Sequence, residues 1–330
     1  MATMRDVALR AGVSPKTVSR VINDDRYVSD GVRDRVQQAI SDLEYVPNML
    51  AVTFRNGRDA AIGVAVPDIS DPFFGAVVQS VEREAAQRGA AVIVTSVGYQ
   101  PEHERTAIEA LLRRQVIGLI VCPVGPDQAY LRPWQPRTPT VFIDRAPHRL
   151  TADAVVQDDH GGGRQATAHL LGHGHRRIAF LGDDDGVATT LLRLKGYRAA
   201  LSDAGVPADP DLLHLGPTDP DAVKDALEQL LKLSDPPTAV FASNARWTVG
   251  VVPALQALGR TDLGLVSFGD FALAAALQPP ITVVNQDPAA MGAFAAQRLF
   301  ARVDNPGARL RRRTVLPVRL VERASCGVAH

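Results

Sequence analysis

The sequence predicts an α/β protein: a core of two parallel-sheet lobes, preceded by a small all-α helix-turn-helix headpiece and a hinge helix. Three observations carry this. Residues 3–24 read as two short helices around a tight turn. From Ala61 onward, β-rich apolar runs alternate with helical patterns, as parallel sheets covered on both faces require. The alternation fills the 270 residues from 61 to 330. That is much for one open sheet, so two lobes with a ligand-binding cleft between them are the natural arrangement.

The first helix is expected to start at Thr3, which can cap it, with Asp6 favourable to the helix dipole. Val7, Ala8 and Ala11 share one face, and Gly12 can end the helix in the left-handed conformation. Ser14 caps the second helix and Pro15 takes its first position, where a missing N–H costs nothing. Val18, Val21 and Ile22 face inward, leaving Lys16, Thr17, Ser19 and Arg20 outside. This spacing lets the second helix enter a DNA major groove, where Lys16 and Arg20 suit guanine O6 and N7. Ser29 is expected to cap a third helix, with Val32, Val36, Ile40 and Leu43 on its buried face. Pro47 closes the headpiece, taken as residues 1–47.

Asn48 can cap a short helix over Met49–Arg55, with Gly57 closing it. Two turns are marginal alone, so this linker, residues 48–58, is expected to fold only when docked. Phe54 then suits an apolar wedge for a minor groove.

In the core, residues 59–330, the strand candidates are AIGVAVP, AVIVTS, VIGLIVCP, TVFID, ADAVVQD, RIAFLG, LLHLG, TAVFAS, GLVSFG, ITVVNQD and TVLPVRLVE. Helical patterns separate most of them: 74–88, 102–114, 161–171, 191–204, 219–233, 247–258 and 288–302.

Composition narrows the class. The chain has 46% hydrophobic and 22% charged residues and a formal net charge of zero, which is ordinary for a globular protein. Zero charge argues against bulk attachment to nucleic acid but leaves room for a local basic face. Arg5, Arg10, Lys16 and Arg20 supply one. The two cysteines, Cys122 and Cys326, sit in or beside apolar runs and read as buried free thiols in a reducing cytoplasm. No signal-peptide pattern and no bilayer-length apolar run is visible. A cytoplasmic protein with no membrane contact is expected.

Several signals are set aside. His169, His173 and His175 resemble a metal cluster, but GHGHRR reads as a turn between helix and strand. Gly161–Gly163 lacks the Lys-Ser/Thr of a phosphate loop, so close packing at a helix start is preferred. Asp183–Asp185 reads as a solvated loop over the cleft mouth, and RLRRR at 309–313 as a solvated loop. No nucleophile with a paired base is visible, so no enzyme activity, cofactor or metal is expected.

The runs TMRDVALRAGVSPKTVSRVIND, YVPNMLA, IGVAVPDISDPFFGAVVQSVE, GHRRIAFLG, RLKGYRAAL, TAVFASN and ITVVNQDP resemble those of the LacI/GalR family of bacterial transcription repressors. The resemblance spans nearly the whole chain. It implies a core like periplasmic sugar-binding proteins and a homodimer reading a pseudo-palindromic double-stranded operator. It also implies a small-molecule effector, a sugar or sugar derivative, held between the lobes. The lobes would be discontinuous: about 61–159 plus 291–318, and about 160–290 plus 319–330.

Carried onto this chain, the resemblance implies DNA contacts from Thr3, Ser14, Pro15, Lys16, Thr17, Ser19, Arg20, Asn23 and Arg26. Met49, Ala51 and Phe54 would add minor-groove contacts. It implies effector contacts from Asp71, Phe73, Phe74, Asp144, Arg193, Asn244 and Asp270, with Trp247 either stacking on a sugar ring or filling an apolar helix face. Ala245 and Gly269 stand where many members carry Asp.

Overall fold

The computed structural model describes residues 3–22, 25, 27–43 and 60–327. Asn23, Arg26, Met49, Ala51, Phe54 and the linker 48–58 lie outside the described residues. The chain divides into two compact units, residues 1–60 and 61–330.

In the first unit, helices α1 (Met4–Ala11), α2 (Pro15–Ile22) and α3 (Asp30–Asp42) pack around Val7, Ala8, Val18, Val21, Val36 and Ala39. A capping box opens α1: Asp6 N–H donates to Thr3 Oγ1 (3.3 Å) and Thr3 N–H to the Asp6 carboxylate (2.7 Å). Donation to that carboxylate from the Thr3 hydroxyl (2.7 Å) and then the Thr3 N–H holds the Asp6 carboxyl below the usual carboxylate range. Gly12 ends α1 at φ +66°, the left-handed region that glycine enters without strain. Ser14 Oγ accepts from Thr17 N–H at 3.2 Å and so caps α2. Ser29 precedes α3 in extended conformation, but its side chain makes no capping bond. That departs from the sequence expectation.

The second unit holds two six-stranded sheets. The first runs β11 (Arg313–Leu316), β5 (Asp153–Gln157), β4 (Thr140–Asp144), β3 (Gly118–Val121), β1 (Ala61–Val66), β2 (Ala91–Ser96), all parallel. The second runs β12 (Arg319–Val321), β10 (Thr282–Asn285), β9 (Gly264–Phe268), β8 (Ala239–Ala242), β6 (Ile178–Gly182), β7 (Leu213–Leu215). Only β12 is antiparallel there, against β10.

Each sheet buries both faces, which is why the strands read as unbroken apolar runs. On β1, Ile62, Val64 and Val66 join one core with α4 (Pro72–Gln87) and α10 (Pro288–Asp304). Ala65 joins another with α5 (Pro101–Arg113). The second sheet lies between α6 (Asp159–Gly172) with α7 (Ala188–Asp203) and α8 (Pro220–Leu231) with α9 (Ala245–Ala257). The chain passes between sheets after β5, after β10 and after β11.

The α6–α7 crossing is unusually close. A Cβ on Gly163 would lie 2.3 Å from the Arg193 carbonyl oxygen, and one on Gly196 would lie 2.1 Å from the His160 carbonyl oxygen. Within the run at 161–163, Gly163 serves this backbone approach, while a Cβ on Gly161 or Gly162 would meet the Asp158 and Phe268 side chains, so the run serves close packing at a helix start, as expected.

Candidate functional site

Parallel strands deliver their following loops and helix starts to one end of each sheet. Here those ends face a narrow cleft, open to solvent at its mouth. From the first sheet come Asp71, Phe73 and Phe74 at the start of α4, Tyr99 after β2, and Asp144 and Arg145 at the end of β4. From the second come Asp183 after β6, Arg193 on α7, Asn244 and Arg246 at the start of α9, Asp270 and Phe271 after β9, and Gln286 after β10.

Arg193 is the most constrained of these. Its side chain is 6% exposed. Nε donates to Asp159 Oδ1 at 2.8 Å, Nη2 lies 2.8 Å from the same oxygen, and Nη1 donates to the Ser243 carbonyl at 2.6 Å. The guanidinium also sits 3.8 Å from the centre of the Phe268 ring. Burial pushes the Asp159 carboxyl up to about 6 despite the guanidinium beside it.

A raised acid binds its proton more tightly in the folded state, so its contribution to stability falls as pH rises from 3.8 to about 6. Below about pH 6 the folded-state Asp159 is increasingly neutral and no longer holds Arg193 as an ion pair. Effector affinity should therefore weaken between pH 7.5 and pH 5.5, measured by calorimetry. Asp159→Asn should show weak binding at both values.

A second cluster links the lobes. Asp183 accepts from Asn244 Nδ2 at 2.9 Å and Arg246 Nη2 at 3.1 Å. The Arg246 guanidinium lies 4.3 Å from the centre of the Tyr99 ring on the other lobe. Burial pushes the Tyr99 hydroxyl up to about 12. Gln286 Nε2 donates to Gln157 Oε1, again between lobes.

Several cleft residues also start helices. Asp71 caps α4 by accepting from Phe73 N–H at 2.9 Å, and burial pushes its carboxyl up. Asn244 caps α9 by accepting from Trp247 N–H at 3.0 Å. Asp144 adopts φ +64°, strained for a residue with a Cβ. Asp270 is gripped by Arg323, with contacts of 2.7 and 3.2 Å.

The cleft thus gathers Asp71, Phe73, Phe74, Asp144, Arg193, Asn244 and Asp270. It does not gather Trp247. That residue is wholly buried in the α8–α9 core, with its ring against His214. Stacking on a ligand is excluded there, because the apolar face of α9 claims the indole. Tyr99, Arg145, Asp183, Thr189, Arg246, Phe271 and Gln286 line the cleft without having been singled out. Asp183, expected in a solvated loop over the cleft mouth, has its side chain 13% exposed and doubly engaged. Its place directly after an apolar strand run was the available signal.

On the headpiece, Lys16 and Arg20 are exposed on α2. Arg20 Nε donates to Asp25 at 2.8 Å, which orients its fork. Ser14 and Thr17 bond to each other at 3.0 Å, while Thr3 and Ser14 serve as caps.

Two parallel-sheet lobes closing on a polar, aromatic-lined cleft define a small-molecule binding core, and the N-terminal unit is a helix-turn-helix. A family model described as "Bacterial regulatory proteins, lacI family" matches residues 3–48, and one described as "Periplasmic binding protein-like domain" matches residues 167–326. The ribose operon repressor of Escherichia coli K12 is 33% identical over 98% of this chain and 100% of its own length. The lac repressor dimer bound to operator and an anti-inducer superposes with TM-score 0.84 at 27% identity, covering 99% of each chain. A transcriptional regulator CelR–cellobiose complex superposes with TM-score 0.72 at 30% identity, covering 98% of this chain and all of the other.

The chain belongs to the lacI family of bacterial regulatory proteins. It is a DNA-binding transcription regulator under the control of a small-molecule effector, in a family of regulators rather than enzymes.

Proposed function

We propose that the chain is a cytoplasmic homodimeric repressor whose effector is a neutral sugar. The observation carrying the effector class is the charge balance of the cleft. Asp71, Asp144, Asp183 and Asp270 face Arg145, Arg193 and Arg246. Acids at least match bases, so a phosphorylated or otherwise strongly anionic ligand is disfavoured. Carboxylate and guanidinium groups beside Phe73 and Tyr99 suit the hydroxyls and apolar face of a pyranose or furanose. Two similar proteins, a ribose operon repressor and a regulator in complex with cellobiose, point the same way.

Arg193 is the proposed anchor of the sugar, with Asp71, Asp144, Asn244 and Asp270 as further polar contacts. Phe73 and Phe74 would supply apolar contact. Closure of the lobes on the ligand would tighten or break the Arg246–Tyr99 contact. It would thereby shift the equilibrium between states that hold the two linker segments differently.

On DNA, the α2 face with Pro15, Lys16, Thr17, Ser19 and Arg20 is proposed to enter the major groove, with Asn23 and Arg26 on the flanking backbone. Met49, Ala51 and Phe54 would act in the minor groove. Lys16→Ala should lower affinity for the preferred operator by about 1–3 kcal/mol and relax preference at one base pair per half-site. Binding-site selection on randomised half-sites checks this. An equal loss on every sequence would make Lys16 a phosphate contact.

The effector class is tested by a thermal-shift screen of the full chain against ribose, galactose, cellobiose, their phosphates and purine bases. A ligand at a hundred times its Kd adds about 2.7 kcal/mol, so a true effector raises the melting temperature visibly. A neutral sugar should do so. Stabilisation by a sugar phosphate or purine alone would overturn the assignment.

A further inference from the structure

We propose that His169, His173 and Glu322 bind a divalent transition-metal ion of the zinc class. The site lies on the second lobe, at the end away from the cleft. His169 is in the last turn of α6, and His173 follows one turn later. Glu322 directly follows β12. One donor atom from each of the three residues lies within 4.8 Å of the others. A tetrahedral ion with bonds of about 2.0–2.2 Å needs donors about 3.3–3.6 Å apart. Small side-chain rotations close that gap, and His173 Nε2 already stands 3.9 Å from Glu322 Oε1.

Two further observations point to a ligand rather than a chance cluster. First, His173 Nδ1 is 2.8 Å from the Gly327 carbonyl oxygen. A carbonyl only accepts, so Nδ1 carries the proton and the Nε2 lone pair faces Glu322. A ring N–H on a backbone carbonyl is how metal-bound histidines are commonly oriented. Second, His169 Nε2 is buried with no hydrogen-bond partner among the described residues. A buried polar nitrogen without a partner is costly, and a bound ion removes that cost.

His175, the third histidine of the sequence cluster, is not a member. Its two nitrogens bond Thr238 Oγ1 at 3.0 Å and the Cys326 carbonyl at 2.7 Å. Three protein donors leave a fourth position for water. The ion would fasten the end of α6 to the end of β12, the antiparallel edge strand of its sheet.

The test uses the full chain without an affinity tag, stripped with a chelator. Zn²⁺ is titrated by calorimetry and Co²⁺ by visible absorption. One ion per chain should bind, with a rise in melting temperature. The Co²⁺ spectrum should lack a thiolate charge-transfer band, which separates this site from the cysteines. His173→Gln and Glu322→Gln should each weaken binding at least tenfold, while His148→Gln should bind like the parent. Both diagnostic side chains reach solvent, so those variants keep the fold, which circular dichroism verifies. No saturable binding, unchanged affinity in both variants, or a thiolate band would each overturn the proposal.

Discussion

Arg193→Ala should leave the repressor able to bind its operator but deaf to its effector: operator affinity becomes equal with and without saturating ligand. The side chain is buried, bonded through Nε, Nη1 and Nη2, and set at the cleft wall. Removing it also strands the Asp159 carboxylate in a buried site. Breaking a buried pair costs about 3–5 kcal/mol when the remaining charge stays ionised. Asp159 already protonates near 6, so part of that cost is relieved by proton uptake. The variant should be destabilised most at high pH. Arg193→Lys separates the two effects. It keeps the charge but loses the planar fork that joins Asp159 to the Ser243 carbonyl. It should fold well and still respond poorly. Calorimetry for the effector and fluorescence anisotropy for the operator give both readouts. An undiminished response in both variants would remove Arg193 from the ligand site.

Gly196→Ala should be the most damaging single methyl group that the core can receive. The added Cβ meets the His160 carbonyl oxygen at 2.1 Å and the Arg164 nitrogen at 2.7 Å, both backbone atoms. Neither can rotate away, so α6 and α7 must separate. Overpacking usually costs about 1–3 kcal/mol, and a clash with backbone belongs at or above the top of that range. The melting temperature should fall by roughly 6–12 °C. Effector affinity should fall too, because Arg193 rides on α7 one turn before Gly196. Gly172→Ala is the control: nothing lies within 4 Å of its Cβ, and the melting temperature should hold. Equal behaviour of the two variants would refute the close-approach account.

Much of the fold was legible because it rests on local chemistry. The capping box of Thr3 and Asp6, the left-handed Gly12 and the Ser14 cap are written within a few residues of where they act. The two-sheet core followed from short, β-rich apolar runs such as AIGVAV and IAFLG alternating with helical patterns, the signature of strands covered on both faces. The cleft was less legible, because its members meet only in three dimensions. Nothing near Tyr99 in the chain announces Arg246, and nothing near Gln157 announces Gln286. Trp247 is the opposite case, where of two readings the core one holds. An indole beside a polar loop looks like a ligand platform, yet the same residue at helical spacing with Val251, Ala254 and Leu255 belongs to the core. Asp183 was underrated because a run of three acids reads as solvated. The rule that loops after parallel strands face the cleft would have singled out its first member.

The most direct test of the regulatory account is reciprocity between the two ligands. Operator affinity is measured with and without saturating sugar, and sugar affinity with and without operator, on the same full-length dimer. If the cleft and the headpiece share one equilibrium, the two ratios must be equal and different from one, a coupling of typically 5- to 150-fold. An effector that binds tightly but leaves operator affinity unmoved would contradict the account.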